Sequence, residues 1–275
     1  MPNKNIVKYC CINVKGGIRK NNQDNFFVQN KYRKSTEPDV DLMCLGEFYS
    51  SDNEIIAVYD GMGGESCGEI ASLIAASETA KYNKNNDIGE IVLRNLCNHL
   101  NTQICDYVQR NNISCMGTTA AIIRFEKTQI FICNLGDSRI YRIRGDSIKQ
   151  ISKDHILEGF TMGKPPLTQF LGIPVDEAKI EPYIATGGYT PGDIYLLCSD
   201  GITDMLTDVE ILKIVVKARD VSLGATELVS KALKNGGIDN ITAILCEIED
   251  NNFFQKIEEK INLKLNGKKK SKEMK

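Results

Sequence analysis

The chain has 275 residues, enough for one large domain or two small ones with a substantial core. Its 42% hydrophobic and 25% charged residues are ordinary globular composition and argue against a disordered, collagen-like or coiled-coil chain. The 34 basic and 36 acidic residues leave a net charge of −2, with no basic excess to neutralise nucleic-acid phosphates. Because only two histidines are present, a histidine-rich zinc site is nearly excluded, and metal chemistry must rely on carboxylates.

The cysteines and the hydropathy of the chain indicate the cellular compartment of the protein. The ten cysteines include no pair with the C-x-x-C spacing, and most lie in apolar runs, where a thiol behaves as a small buried hydrophobe. Reduced core cysteines are typical of cytosolic proteins. The N-terminal residues lack the continuous apolar stretch of a signal peptide, and no run approaches the ~20 apolar residues of a membrane span. The sequence therefore predicts a cytoplasmic protein without membrane association.

Apolar runs of strand length recur along the chain, rich in Ile, Val, Tyr and Phe and bounded by turn residues. They are KYCCINV near residue 8, DNFFV near residue 24, and the runs at 54–60, 118–125, 129–135, 138–144, 193–200 and 241–248. Short polar turns at 126–128 and 144–147 predict antiparallel hairpins.

Helical patterns fall into two pairs. Residues with capping-box spacing precede three of the helices, namely Ser66 with Glu69, Asp87 with Glu90, and Thr207 with Glu210. The fourth helix is predicted over 222–233. Strands, two helices, strands, two helices and a strand form an α+β order. This order predicts a central antiparallel β-sandwich flanked by helix pairs on both outer faces.

The sequence is uniform in composition along its length, and this predicts its domain organisation. No repeat, low-complexity linker or composition break interrupts it, so one domain is predicted over 1–250. The remaining residues, 251–275, end in NGKKKSKEMK and are predicted to form a helical, basic tail that is partly disordered.

Aspartate beside glycine or asparagine recurs where apolar strands begin or end. One such position indicates only a turn, but five occur in this chain, at Asp24, Asp60, Asp137, Asp200 and Asp239. Carboxylates that converge repel one another, and hard divalent cations such as Mg²⁺ or Mn²⁺ offset that repulsion. The residues therefore predict an oxygen-ligated binuclear metal centre. Two such ions ~3.5–4 Å apart serve the hydrolysis of phosphate esters.

The ordered motifs resemble those of the metal-dependent type 2C serine/threonine protein phosphatases, and most closely the compact bacterial members. They are GGIRKNNQDNFF, AVYDGMGGESCGEIAS, MGTTAA, CNLGDSRIYRIR, SKDH, LLCSDGITDML and GGIDNITAIL. The resemblance spans about residues 6–248 in family order. It implies a monomeric enzyme that dephosphorylates phosphoserine and phosphothreonine on proteins and reverses a cognate serine/threonine kinase. It implies two Mn²⁺ or Mg²⁺ ions, with room for a third, weaker one.

The resemblance also implies the ligands of the two principal ions. Asp60 matches the carboxylate that bridges both metals, and Gly61 matches the glycine whose carbonyl completes one shell. Asp200 and Asp239 match the remaining direct ligands of one metal. Asp24 matches an acidic residue that holds the other metal through water.

Catalytic roles and a third metal site are implied in the same way. Arg19 matches the arginine that grips the substrate phosphate, and its planar guanidinium suits bidentate phosphoryl binding. Asp137 and Asp204, with Asp200, match the weaker third site. The implied mechanism is attack by a metal-bridging hydroxide, so the catalytic set is Arg19, Asp60 and Asp200.

Two departures from the family pattern concern catalysis and specificity. Met62 follows the Asp-Gly pair, where some members carry a histidine, so no side-chain general acid is evident. His155 is the remaining candidate by elimination, although a structural role is favoured, and His99 is expected to be non-catalytic. The segment 155–167 is shorter than the flap that bacterial relatives usually carry beside the site.

Two alternative functions use the same residues differently. A non-catalytic member would bind phosphoproteins without hydrolysing them, but such members generally lose the metal-binding aspartates, and every expected acidic position is filled here. A metallonuclease also uses carboxylates and two metals, and the absence of a basic excess counts against it.

Overall fold

The structure is a computed structural model and describes residues 5–34, 41–62, 67–82 and 87–251. Within these ranges the chain forms twelve strands. They are β1 (Asn5–Val14), β2 (Asp24–Val28), β3 (Leu42–Tyr49), β4 (Ile55–Met62), β5 (Gly117–Thr118), β6 (Ala120–Phe125), β7 (Gln129–Leu135), β8 (Arg139–Arg144), β9 (Ser147–Gln150), β10 (Tyr183–Gly188), β11 (Ile194–Cys198) and β12 (Ile241–Asp250). The last strand ends at the predicted domain boundary, and residues 252–275 of the predicted tail lie outside the described residues.

The strands form two sheets in which every pairing is antiparallel. The first sheet has the order β3-β1-β12-β11-β8-β9, and the second has the order β10-β7-β6-β4-β2, with β5 paired to the end of β4. The predicted turns at 126–128 and 144–147 join β6 to β7 and β8 to β9, so both hairpin predictions are confirmed. All eight predicted strands are present, and the run at 118–125 is divided between β5 and β6.

Three strands were not predicted from the sequence, namely β3, β9 and β10, and all three are sheet edges. An edge strand in an antiparallel sheet is solvated along one side and needs no continuous apolar run. Accordingly, β3 alternates between more and less exposed residues, β9 has only four residues, and β10 ends in two glycines.

Helices cover both outer faces of the sandwich. The pair α1 (Gly68–Tyr82) and α2 (Gly89–Asn111) packs on the second sheet. The short α3 (Asp200–Thr203) follows β11, and the pair α4 (Asp208–Lys217) and α5 (Val221–Lys234) packs on the first sheet. A third apolar layer, including Phe26, Val58 and Tyr195, fills the space between the sheets. The predicted four-layer α+β sandwich is therefore confirmed.

The helix starts were predicted with unequal success. At α4 the capping box is present, since the Thr207 hydroxyl accepts from the Glu210 N–H and the Glu210 carboxylate accepts from the Thr207 N–H. The start at Asp87 is wrong by one residue, because Ile88 is the N-cap of α2 and the Asp87 carbonyl instead accepts from Arg124. Ser66 lies outside the described residues. No helix in the described ranges is both long and apolar enough to cross a membrane.

All ten cysteines are free thiols, as expected from their apolar surroundings. Cys133, Cys198 and Cys246 are fully buried. Burial raises the pKa of the Cys198 thiol to about 12 and that of Cys10 to about 11, so both remain protonated at neutral pH. These thiols therefore serve as core side chains.

A buried carboxylate paired with a half-exposed arginine fixes the turn between β10 and β11. Asp193 is fully buried, and the half-exposed Arg144 binds it in a bidentate manner, with Nε to Oδ1 at 2.5 Å and Nη2 to Oδ2 at 2.6 Å. The Thr190 N–H also donates to Oδ2 at 2.9 Å. Burial opposes ionisation of Asp193, but the bonds from Arg144 and Thr190 outweigh it and hold the pKa of this carboxyl below its ordinary value.

Asp193→Asn should lower the free energy of unfolding at pH 7, because the buried carboxylate loses the charge that strengthens its bonds to Arg144 and Thr190. A lowered folded-state pKa contributes stability above the unfolded-state value of ~3.9 and loses it as the pH falls through the folded-state value. The difference between wild type and variant should therefore shrink below about pH 4. Urea unfolding at pH 7, 4 and 3 measures the difference in unfolding free energy between wild type and variant, and substitution of the exposed Asp146 by Asn is the control. A difference that stays constant over this range would contradict the assignment.

Candidate active site

Strand ends from both sheets surround a cavity of about 340 Å³ at one end of the sandwich. Asp60 lies near the end of β4, and Asp137 lies between β7 and β8. Asp200 begins α3 directly after β11, and Asp239 lies two residues before β12. All four carboxylates line the cavity, together with Arg19 and Gly61. In an antiparallel sheet, the end of one strand lies beside the start of the neighbouring strand. Residues that are far apart in the sequence therefore meet at this end of the sandwich.

Asp24 lies beside the cavity without lining it. It faces Asp60 across the β2–β4 pair and is almost fully buried. Its Oδ2 accepts from the hydroxyls of Ser199 and Thr242, each at 2.7 Å, so the first sheet holds a carboxylate of the second. Burial raises the pKa of Asp24 to about 6 despite these bonds. Burial, followed by the charge of Asp24, raises the pKa of Asp60 well above its ordinary value.

Lys164 enters the cavity among three of the predicted metal ligands. Its Nζ is ion-paired with Oδ2 of Asp200, lies 3.3 Å from Oδ2 of Asp137 and lies 3.8 Å from Oδ2 of Asp204. Burial lowers the pKa of Lys164, but the charges of the surrounding carboxylates, Asp137 first, raise it above its ordinary value overall. Lys164 is therefore an ammonium ion within an acidic cluster. Asp204 lies at the exposed rim of this cluster.

Arg19 reaches the opposite group of ligands. Its Nη2 donates to Oδ2 of Asp239 at 2.7 Å, and about half of its side chain remains exposed. The neighbouring Asn240 holds the loop that carries Arg19, since its Oδ1 accepts from the Gln23 N–H and its Nδ2 donates to the Asn21 carbonyl. Asn240 therefore acts as a hydrogen-bonding support for this loop.

Gly61 lies where two backbone segments meet closely. Its N–H donates to the Gln23 carbonyl at 3.1 Å, and a Cβ at this position would fall on the Gly68 carbonyl, deep inside van der Waals contact. A side chain at residue 61 would therefore push β4 away from the start of α1. This close approach is a reason for glycine that is independent of any metal.

Comparisons with known proteins identify the family. The profile described as protein phosphatase 2C matches residues 45–264. The chain belongs to the protein phosphatase 2C family. A serine/threonine phosphatase, stp, of Listeria welshimeri is 33% identical over 234 residues, which cover 77% of this chain and 90% of the relative.

Solved structures agree with this assignment. The serine/threonine phosphatase PstP/Ppp of Mycobacterium tuberculosis is 25% identical, with a TM-score of 0.73 over 89% of this chain and 99% of that one. The catalytic domain of PstP in complex with 2 manganese ions is 26% identical, with a TM-score of 0.72 over 90% of this chain and 100% of that one. The predicted metal-dependent protein serine/threonine phosphatase is thereby confirmed.

The donors of this phosphatase suit divalent cations, although they are not assembled in advance. Within the described ranges, no three Asp, Glu, His or Cys side chains already form a metal-binding group. Arg19 and Lys164 instead bind Asp239 and Asp200. Among the described residues, the buried Oδ1 atom of Asp200 nevertheless has no hydrogen-bond partner, and such an orphaned carboxylate oxygen is costly unless a cation binds it. All the converging donors are oxygens, which Mg²⁺ and Mn²⁺ prefer.

Neither histidine of the phosphatase lines the cavity. His155 donates its backbone N–H to the Gly136 carbonyl at 3.0 Å, and burial, the largest influence, lowers the pKa of its ring. Its buried Nδ1 has no hydrogen-bond partner within the described ranges. His99 stacks on Tyr82 and contacts Glu78 between α1 and α2. Both positions agree with structural roles, and Met62 lines the cavity without a proton to donate.

Sequence reasoning missed Lys164 as a residue of the site. The sequence indicated only that the short segment 155–167 lies beside the site, and the structure places Lys164, Pro165 and Leu167 of that segment in the cavity wall. The Gly-Lys-Pro-Pro stretch at 163–166 carries no recognisable ligand spacing. The single cation in a shortened flap was the only available signal, and it does not reveal which carboxylates the ammonium contacts.

Proposed function

We propose that this phosphatase hydrolyses phosphoserine and phosphothreonine on cytoplasmic proteins in the cavity between Arg19 and the four carboxylates, as a monomer that opposes a cognate serine/threonine kinase. The observation that carries the proposal is the convergence of Asp60, Asp137, Asp200 and Asp239 on one cavity that also holds a half-exposed guanidinium. A phosphomonoester dianion requires cations, and this cavity combines a fixed cation with donors for mobile ones.

The carboxylates would hold two divalent ions. Asp60, Asp200, Asp239 and the Gly61 carbonyl would hold the ions directly, and Asp24 would support one of them through water. The raised pKa values of Asp24 and Asp60 support this role, because burial first and neighbouring carboxylates second disfavour their ionised forms, which a counter-cation would stabilise. Bound Mn²⁺ or Mg²⁺ supplies Lewis-acid activation of water and neutralisation of phosphoryl charge.

Arg19 would orient the phosphoryl group. A guanidinium has five N–H donors in a rigid fork, and in this structure Nη2 is bonded to Asp239. The remaining donors can bind equatorial phosphoryl oxygens, whose charge is spread in the transition state. The ammonium of Lys164 is ion-paired with Asp200, so water would supply the proton to the leaving alkoxide.

Arg19→Ala should reduce Mn²⁺-dependent phosphate release from a phosphothreonine peptide by about 100-fold or more in kcat/KM, because one preorganised donor group is lost. Arg19→Lys should recover only part of this loss, because an ammonium cannot bind two oxygens in one plane. Initial rates of phosphate release with saturating Mn²⁺ measure both effects.

The matched control is Lys20→Ala, which removes the adjacent exposed cation that does not line the cavity. It should retain wild-type activity. Equal activity of Arg19→Ala and wild type would contradict the role of Arg19. Absence of phosphate release by the wild type with either Mn²⁺ or Mg²⁺ would favour the non-catalytic alternative instead.

A further inference from the structure

Lys164 is presented by a closed loop. The Ile156–Leu167 β-bridge joins the two ends of the loop, where the Leu157 N–H donates to the Pro166 carbonyl at 2.9 Å and the Thr168 N–H donates to the His155 carbonyl at 2.8 Å. Pro165 and Pro166 directly follow the lysine, and their fixed φ angles limit the paths open to the chain. The loop therefore directs one ammonium toward the cavity.

The contacts of Lys164 divide the acidic cavity into two parts. Its ion pairs go to Asp137, between β7 and β8, and to Asp200 and Asp204, at the two ends of α3. Asp239 is instead paired with Arg19. The two oxygens of Asp200 differ accordingly. Oδ2 is paired with Lys164, and the buried Oδ1 has no hydrogen-bond partner in the part of the chain that the structure describes. Asp200 can therefore keep its ammonium contact while it offers the other oxygen to a cation.

We propose that Lys164 is a built-in counterion of the Asp137–Asp200–Asp204 set and that it opposes binding of a divalent cation there. This inference rests on the proposed function, since it concerns the same cavity. A dication bound by these three carboxylates would lie close to the ammonium, and two like charges in a partly buried site repel strongly. The wild-type protein should therefore take up two divalent ions readily and a third only weakly.

The test is a Mn²⁺ binding isotherm, measured by titration calorimetry and by metal analysis after equilibrium dialysis. Lys164→Met removes the charge and retains most of the side-chain length. It should reveal one additional ion per chain, or tighten the weakest site by about tenfold or more. Lys164→Arg retains the charge and should reproduce the wild-type isotherm. Adding Asp204→Asn to Lys164→Met should abolish the gain.

Controls separate this inference from the proposed function. Lys179→Met, an exposed lysine outside the cavity, should leave the isotherm unchanged, and thermal melting of each variant verifies folding. Two ions bound with identical isotherms in wild type and Lys164→Met would overturn only the role of Lys164. An unchanged isotherm with a raised KM for phosphopeptide would likewise overturn it, because Lys164 would then bind substrate. Failure of both proteins to bind Mn²⁺ would overturn the proposed function as well.

Discussion

Replacing Asp60 with asparagine should reduce Mn²⁺-dependent phosphate release by more than about 100-fold, since even indirect partners of a metal site typically contribute ~10–100-fold. Asp60 lines the cavity near the end of β4. It faces Asp24 across the β2–β4 pair, and the charges of Asp24, Asp137 and Asp239 all raise its pKa. The amide retains the shape of the side chain but loses the negative charge that would hold a dication.

The same substitution should leave the melting temperature of the metal-free protein unchanged or higher. Burial and neighbouring carboxylates disfavour the ionised form of Asp60, so the charge that serves metal binding opposes folding when no metal is bound. Calorimetric Mn²⁺ titration, activity and thermal melting together separate a lost site from a lost fold. The control is Asp176→Asn, an exposed carboxylate outside the cavity. Tight Mn²⁺ binding and full activity in Asp60→Asn would contradict the proposed role.

The interior of the fold was predictable because its strands are buried on both sides. Runs such as 129–135 and 241–248 are continuous in apolar residues, and each forms a strand with two neighbours. The edge strands β3, β9 and β10 were missed because solvent contacts part of their surface, which permits glycine and polar residues. Local hydropathy therefore identifies the centre of a sheet more readily than its margin.

The aspartates of the site were predictable as a set, but their partners were not. Asp next to Gly at the end of an apolar run can be recognised from the local sequence, and the family motifs indicate which of these aspartates belong to one site. The pairing of Arg19 with Asp239 joins residues 220 positions apart, and the pairing of Lys164 with Asp200 depends on the path of one loop. Such contacts depend on tertiary packing. The sequence therefore indicates which residues carry charge, and the fold determines which of them neutralise one another.

The glycines beside the aspartates are also required by close packing of the backbone. In the structure, Gly61 and Gly201 are both positions where a Cβ would fall on another backbone carbonyl, that of Gly68 and that of Asn240 respectively. Close backbone packing therefore requires glycine at both positions, whether or not a metal is bound.

Gly201→Ala should consequently destabilise the protein and weaken the site together. Gly201 is buried in α3, directly after Asp200, and the carbonyl it faces belongs to Asn240, directly after Asp239. A methyl group there must separate the segments that carry these two aspartates. Overpacking of this kind typically costs about 1–3 kcal/mol of folding free energy. The displaced aspartates should also weaken Mn²⁺ binding and phosphate release.

Gly187→Ala is the matched control, because a Cβ at that position in β10 meets nothing within 4 Å. It should change the free energy of unfolding by less than about 0.5 kcal/mol and leave activity intact. Urea unfolding and Mn²⁺ titration of both variants measure the contrast. If Gly201→Ala unfolds at the same urea concentration as Gly187→Ala and binds Mn²⁺ equally well, close packing is not the reason for glycine beside Asp200. If it is stable but inactive, the methyl group perturbs the site without separating the segments.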